Sequence, residues 1–151
     1  YEKEQVELLG ICKRGVTRLE HAAQRRGITF HLAGRDGKFW GVDQVVDEIV
    51  YNLCDNAIRY NKPQGSVTVT LRPEQGGTAL QVADTGIGIP EKYQERIFER
   101  FFRVDKSRSK ETGGTGLGLA IVKHIAQVHH APVELDSVEG QGTTITVHFP
   151  E

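Results

Sequence analysis

The chain has 151 residues, 38% hydrophobic and 26% charged, with a formal net charge of -1. That is enough apolar content for one packed core, and no apolar run approaches the ~20 residues of a membrane span. A near-neutral balance without a basic face argues against nucleic-acid binding, and no segment resembles a signal peptide.

Leu8, Cys12, Val16, Leu19 and Ala23 recur at helical spacing up to Gly27, which predicts a helix over about Glu4 to Arg26. Cys12 and Cys54 match no metal-ligand spacing and sit among apolar neighbours, so they are expected as reduced core thiols in a cytoplasmic setting. The chain contains no methionine and is read as a single domain over 1–151, a fragment of a longer protein. "ITFHL" then reads as a strand.

Val42, Val46, Ile49, Val50, Leu53 and Ala57 mark a second helix, closed by "NKPQG". Beside that stripe Asn52, Asn56, Arg59 and Tyr60 fall at i, i+4, i+7 and i+8, which puts two amides, a cation and a phenol on one face. An amide oxygen suits Mg²⁺ held mainly by phosphates and water, and a guanidinium one turn on could meet the same phosphates. A solvated helix face accounts for the pattern equally well.

"SVTVTLR" and "TALQVAD" read as a hairpin pair, running into "DTGIGIP". Leu80, Val82 and Asp84 are in phase, so the carboxylate faces the same way as the core residues and needs donors. The N–H groups of the glycine turn are one source and the exocyclic amine of a purine is another. Gly86 and Gly88 let backbone and ligand approach closely.

From Glu91 to Gly114 no regular element is visible, and a loop of that length in a compact domain is usually functional. Phe98, Phe101 and Phe102 supply apolar anchors, while Arg103, Lys106, Arg108 and Lys110 make the second half of the loop locally basic, as in a lid over a polyanion or an ordinary solvated loop. The phenylalanines are expected to pack into the core as a hinge anchor, and order across Val104 to Gly114 is expected to depend on a γ-phosphate.

"GGTGLGLAIVKHIAQ" places glycines before a third helix, Gly118 to His129, with Leu119, Ile121, Val122, Ile125 and Val128 as its stripe. Glycines there free N–H groups to face an anion at the helix N-terminus. A P-loop is excluded because Gly118 is followed by Leu119 and Ala120, and the dinucleotide fingerprint because Leu119 stands where its third glycine belongs. "PVELDSV" and "TTITVHF", joined by "EGQG", form a second hairpin. The expected fold is an α/β two-layer sandwich, a mixed and mostly antiparallel sheet covered on one face by three helices.

In chain order, "NLCDNAIRY", "DTGIGIP", "IFERFFR", "GGTGLGLAIV" and "GQGTTITVHFP" resemble the N, G1, F and G2 boxes and the terminal strand of the catalytic ATP-binding domain of bacterial sensor histidine kinases, members of the GHKL superfamily with the Bergerat fold. The resemblance runs from about Val6 to Pro150. It implies that Asn56 is the Mg²⁺ ligand, that Asn52 lies near the metal and phosphates, that Arg59 stands for a phosphate-meeting lysine, and that Tyr60 contacts the nucleotide. It implies further that Asp84 accepts from the adenine amino group beside Gly86, with Gly88 and Thr143 holding a shared water. Phe102 belongs to the F box, and Arg103 approaches the γ-phosphate, so Asn52 and Arg103 are the residues nearest the transfer step. Gly114, Gly116, Leu117 and Gly118 pass their backbone along the phosphate chain. Val42 departs from the usual helix-capping type, and Asp43 is expected to cap instead.

The ATPase branch of the superfamily carries a glutamate where Asn52 stands, and an amide cannot serve as a general base. Glu48, one turn earlier, reads as a surface carboxylate. Slow hydrolysis and transfer to a protein histidine are therefore expected, with positioning and Mg²⁺ carrying most of the catalysis. None of the six histidines is followed by Asp or Glu as the family's usual acceptor is, so the acceptor is expected on a separate dimerisation domain of the same kinase. A response regulator would follow indirectly, the isolated domain would be monomeric, and its parent would be anchored in the bacterial inner membrane. Two alternatives remain: an anti-sigma-type serine kinase, and a nucleotide-gated interaction module that transfers nothing.

Overall fold

The computed structural model describes residues 2–35, 37–103 and 117–151. Its first element is not the start of a helix. Strand β1 (Glu4–Glu7) pairs antiparallel with β3 (Lys38–Gly41), setting Val6 against Phe39, both buried, and only at Leu8 does α1 (Leu8–Arg25) begin. The expectation of helix from Glu4 is overturned because a strand partner some thirty residues on outbids local helical spacing. β3 was missed for the same reason.

Helix α2 (Asp43–Arg59) lies against α1. Its N-cap is Val42, which makes no side-chain cap bond, and Asp43 does not cap either: its carboxylate meets Arg14 at 2.8 Å. Arg18 repeats the pairing with Asp47 at 2.9 Å and lies over the Tyr51 ring. These bridges are half-exposed and orient the helices more than they stabilise them. The stabilising term is burial of Leu8, Ile11, Cys12 and Leu19 against Val46, Ile49, Val50 and Leu53. Cys12 and Cys54 are both buried and outside any disulfide, and burial pushes the Cys54 thiol up to about 12.

The main sheet has the order β2 (Thr29–Gly34), β4 (Ser66–Glu74), β5 (Gly77–Asp84), β7 (Gly142–Pro150), β6 (Val133–Val138). β2 runs parallel to β4 and every other pair is antiparallel, so both expected hairpins form within a mixed sheet. Alternation decides which side is dry: Val67, Val69, Leu71, Leu80, Val82, Ile145, Val147 and Phe149 join the helices in one core. The opposite side carries Thr68, Thr70, Gln81 and Thr144, and at one end His148 reaches Glu74 (2.7 Å) and Glu134 (2.5 Å).

Helix α3 (Gly118–Val128) buries Val122, Ile125 and Ala126, but Val128 is 54% exposed. His129, the C-cap, takes the inward position that the apolar stripe assigned to Val128. It is 6% exposed, with Nδ1 against the Ile125 carbonyl and Nε2 accepting from the Val42 N–H at 3.4 Å.

After β5 the chain makes a 3₁₀ turn (Glu91–Tyr93) and a series of tight turns closed by Arg96, Glu99 and Phe102 N–H groups on carbonyls three residues back. The phenylalanines do not share one inward face. Ile97 is the buried anchor, Phe101 is 65% exposed with φ at 63°, and Phe102 lies against Tyr93 and Arg96. Three-residue turns scatter positions 98, 101 and 102 around the chain, which is why that cluster does not form. The expectation of nucleotide-dependent order over 104–114 lies outside the described residues.

Candidate functional site

The end of β5 carries Asp84, in phase with buried Leu80 and Val82 and directly opposite Thr143 of β7. Asp84 Oδ1 accepts from the N–H of Gly86 at 2.8 Å and of Thr143 at 3.1 Å. Burial pushes the carboxyl up to about 6, and these two N–H groups pull it part of the way back. Both donors land on one oxygen, and among the described residues Oδ2 has none. This carboxylate is fixed by the protein and still keeps an acceptor for something else.

The glycine turn after Asp84 is fastened on three sides. Ile87 N–H donates to the Tyr60 carbonyl, and Gly140 N–H donates to the Ile87 carbonyl. Ile89 N–H donates to Ser137 Oγ at 2.9 Å. Gln94 Nε2 then reaches both the Ile89 and Ser137 carbonyls. Gly88 has φ of 68°, and a methyl built on it would fall 2.1 Å from the Val138 carbonyl oxygen, so no other residue fits. Behind the turn, fully buried Asn61 accepts from the Thr85 hydroxyl and the Lys62 N–H and donates to the Ser66 carbonyl.

The second half of the site is the polar edge of α2 facing the start of α3. Asn52 donates through Nδ2 to the Glu48 carbonyl at 2.8 Å, while its Oδ1 lies 3.2 Å from where a methyl on Gly118 would stand. The first turn of α3 therefore abuts Asn52, and Leu117 caps that helix without a side-chain bond. The N–H groups of such a turn have no partner within the helix. Asn56, one turn on from Asn52, is half-buried, and its amide has no side-chain partner among the described residues. Arg59 is paired with Asp55 through Nε at 2.8 Å. Tyr60 is the C-cap of α2, so the helix that carries the amides also holds the glycine turn. Arg103 is half-buried at the edge of the described chain.

Thus the structure gathers Asp84, Gly86, Gly88 and Thr143 at one end and Asn52, Asn56, Leu117 and Gly118 at the other, with Tyr60 between; Gly114 and Gly116 lie outside the described residues. Glu48 is exposed, as expected. Sequence reasoning missed Ser137, Gln94 and Asn61. Ser137 was findable, since it alternates in phase with Val133 and Leu135 and so is a polar residue pointing inward.

Among the described residues no group of three or more His, Cys, Asp or Glu side chains could hold a metal ion. The donor on offer is the Asn56 amide oxygen, which fits Mg²⁺: that ion keeps several waters and takes its other ligands from phosphates.

Residues 41–151 match the family described as "Histidine kinase-, DNA gyrase B-, and HSP90-like ATPase", and the chain belongs to it. Within that family it is a catalytic ATP-binding domain of the sensor histidine kinase type. The chain is 41% identical over 149 residues to the sensor-like histidine kinase SenX3 of Mycolicibacterium smegmatis, covering 98% of this chain and 39% of SenX3. It superposes on the mycobacterial sensor histidine kinase MprB with a TM-score of 0.82 and 31% identity, covering 97% of this chain and 96% of that one. On full-length ShkA in complex with AMPPNP the TM-score is 0.85 at 26% identity, covering 98% of this chain and 31% of ShkA. The chain spans less than half the length of the curated relatives it matches. Among the described residues no helix is long and apolar enough to cross a membrane.

Proposed function

We propose that this domain binds Mg-ATP and donates the γ-phosphoryl group to a histidine on the dimerisation and phosphotransfer domain of the same kinase. The phosphoryl group then passes to a response regulator, and the parent protein is anchored in the bacterial inner membrane with this domain on the cytoplasmic side. The observation that carries the reading is Asp84: a carboxylate fixed by two backbone donors on one oxygen, with the other left for a base amine.

In this reading Asp84 Oδ2 accepts from the adenine amino group, Gly86 and Gly88 leave room for the ring, and Gly88 with Thr143 holds a water at the base. Tyr60 and Phe102 line the nucleotide. Leu117 and Gly118, with Gly114 and Gly116, turn N–H groups toward the phosphates, while Arg59 and Arg103 supply positive charge. Asn56 would hold Mg²⁺, which when bound offsets the charge on the phosphate oxygens. Asn52 fixes the geometry beside it and, being an amide, withdraws no proton from water. During transfer the bond from the γ-phosphorus to ADP breaks, a bond to the imidazole nitrogen forms, and the imidazole loses its proton. The work of the domain is alignment and charge stabilisation. The likeness to ShkA, solved with AMPPNP, supports the nucleotide.

Mixing the domain with labelled ATP and a matched dimerisation domain tests this. Acid-labile label on the acceptor is the expected result. Tight binding without transfer would leave a nucleotide-gated interaction module, and an acid-stable label would point to a serine kinase.

A further inference from the structure

The Ser137 hydroxyl lies within hydrogen-bonding distance of three groups: the Ile89 N–H (2.9 Å), the Gly142 carbonyl (3.0 Å) and the Thr143 hydroxyl (2.9 Å). A serine hydroxyl has one proton to give and two lone pairs with which to accept. The Ile89 N–H can only donate, and the Gly142 carbonyl can only accept. Ser137 must therefore spend its proton on Gly142, because otherwise two oxygen lone pairs would face each other at 3.0 Å. Only one assignment is left for the third contact: Thr143 donates its own proton to Ser137. All three bonding capacities of Ser137 are then used.

That assignment fixes the polarity of Thr143. With its proton turned toward Ser137, the Thr143 oxygen presents only lone pairs to its remaining surroundings, and among the described residues no donor reaches it. The Thr143 backbone N–H is spent on Asp84 Oδ1. The base end of the site therefore offers two acceptors, Asp84 Oδ2 and Thr143 Oγ, and no side-chain hydroxyl proton. Gln94 grips the carbonyls of Ser137 and Ile89, so the arrangement is held against rotation.

We infer that Ser137 is a positioning residue for base selectivity: by locking the Thr143 hydroxyl as a lone-pair donor toward the base and the water it shares with Gly88, it makes the site accept a purine bearing a 6-amino group and reject one bearing a 6-oxo group. This rests on Asp84 reading the base. A site whose polar groups are committed in one sense rejects the inverted ligand strongly, because the mismatch leaves buried acceptors facing each other. Without Ser137 the Thr143 hydroxyl rotates freely and can donate, which suits a 6-oxopurine as well as a 6-aminopurine.

The test is titration calorimetry of ADP and IDP, which differ at the 6 position of the base and at the neighbouring N1, an acceptor in adenine and an N–H donor in the 6-oxopurine, against the intact domain, Ser137→Ala, Thr143→Val and the double variant. In Ser137→Ala the ADP affinity falls about threefold to tenfold, while IDP affinity holds or rises, so the ADP:IDP ratio collapses. In the Thr143→Val background Ser137→Ala produces no further change in the ratio, since its effect travels through that hydroxyl. If the alanine variant does not fold, Ser137→Cys, nearly isosteric with a weak S–H donor, gives the same collapse. Equal losses for ADP and IDP in Ser137→Ala would mean that Ser137 merely fastens the Ile89 turn and would overturn the inference. An unchanged ratio, or a full effect persisting in the Thr143→Val background, would overturn it too. A wild-type domain with no preference between ADP and IDP would instead sink the reading of Asp84 itself.

Discussion

The two ends of the site are built on opposite plans. At the end proposed to take the base the protein holds its polar groups in place: Asp84 Oδ1 accepts from two N–H groups, Ser137 is saturated, and the glycine turn is fastened to Tyr60, Gly140 and Ser137. At the phosphate end the Asn56 amide has no side-chain partner among the described residues, Asn52 uses its donor and leaves its oxygen toward Gly118, and α3 begins without a side-chain cap. Discrimination between bases requires acceptors fixed before the ligand arrives, whereas a triphosphate brings enough charge to organise amides, cations and helix N–H groups around itself. Mutations at the first end should therefore change what is bound, and those at the second should change how metal and phosphate are handled.

The largest effect is expected from Asp84→Asn. The amide can place a donor where the purine amine needs an acceptor, and the loss of a charge-assisted bond in an enclosed site costs roughly 1.5–3 kcal/mol of ADP affinity. Calorimetry should show that loss with the melting temperature retained, and unchanged affinity would place the base elsewhere. Next, Asn56→Ala should lower the Mg²⁺ dependence of nucleotide binding by about tenfold while affecting metal-free binding little. Asn56→Asp should shift that dependence and impair transfer, and equal losses with and without Mg²⁺ would erase the contrast between the two ends.

Acidity sharpens the contrast further. Asp84 rises from its ordinary 3.8 to about 6 in the fold, so its contribution to stability is full below about pH 4 and is lost as pH rises through 6. In the proposed reading the base needs the ionised form, so ADP affinity should move the other way and fall about tenfold from pH 7 to pH 5. Asp84→Asn should flatten that profile. The smallest effect belongs to His148, on the far side of the sheet, where the Glu74 and Glu134 carboxylates raise the imidazole above its ordinary 6.5. Its stabilisation is complete below 6.5 and disappears as pH climbs through the raised value, so His148→Ala should cost under about 1 kcal/mol at pH 6 and less at pH 9. Thermal melts at the two pH values measure this. ADP affinity should not respond, and a response would show that the two faces of the sheet are coupled.

Much of this was legible in the residues. Period-2 alternation in "SVTVTLR", "TALQVAD" and "TTITVHF" gave the hairpins and aimed Asp84 inward, and helical spacing gave α2 and α3 to within a residue or so. What escaped depended on partners far along the chain. Glu4–Glu7 and Lys38–Gly41 are strands only because they have each other, and Ile97 rather than the phenylalanines is buried because the turns around it set the facing. Asp43 was drawn from capping by Arg14 on another helix. The saturation of Ser137 required groups from two other segments, Ile89 of the glycine turn and Gly142 with Thr143 of β7, and no spacing rule brings those together.

Among the described residues the main sheet ends on two strands, β2 and β6, that have no strand neighbour on their outer side. A margin of unpaired N–H and C=O groups invites a further strand from a neighbouring molecule, the first step of ordered aggregation. On β6 the exposed positions are Glu134, Asp136 and Val138, and Gln94 already takes the Ser137 carbonyl, so a second copy approaching that margin meets two carboxylates across a strand spacing of about 4.8 Å. On β2 the run is six residues long and stops at Gly34, where φ reaches 102° and Arg35 follows. The β6 margin is defended by charge and the β2 margin by the turn at Gly34, so acidification, which neutralises only the first, should open a route to fibrils through β6.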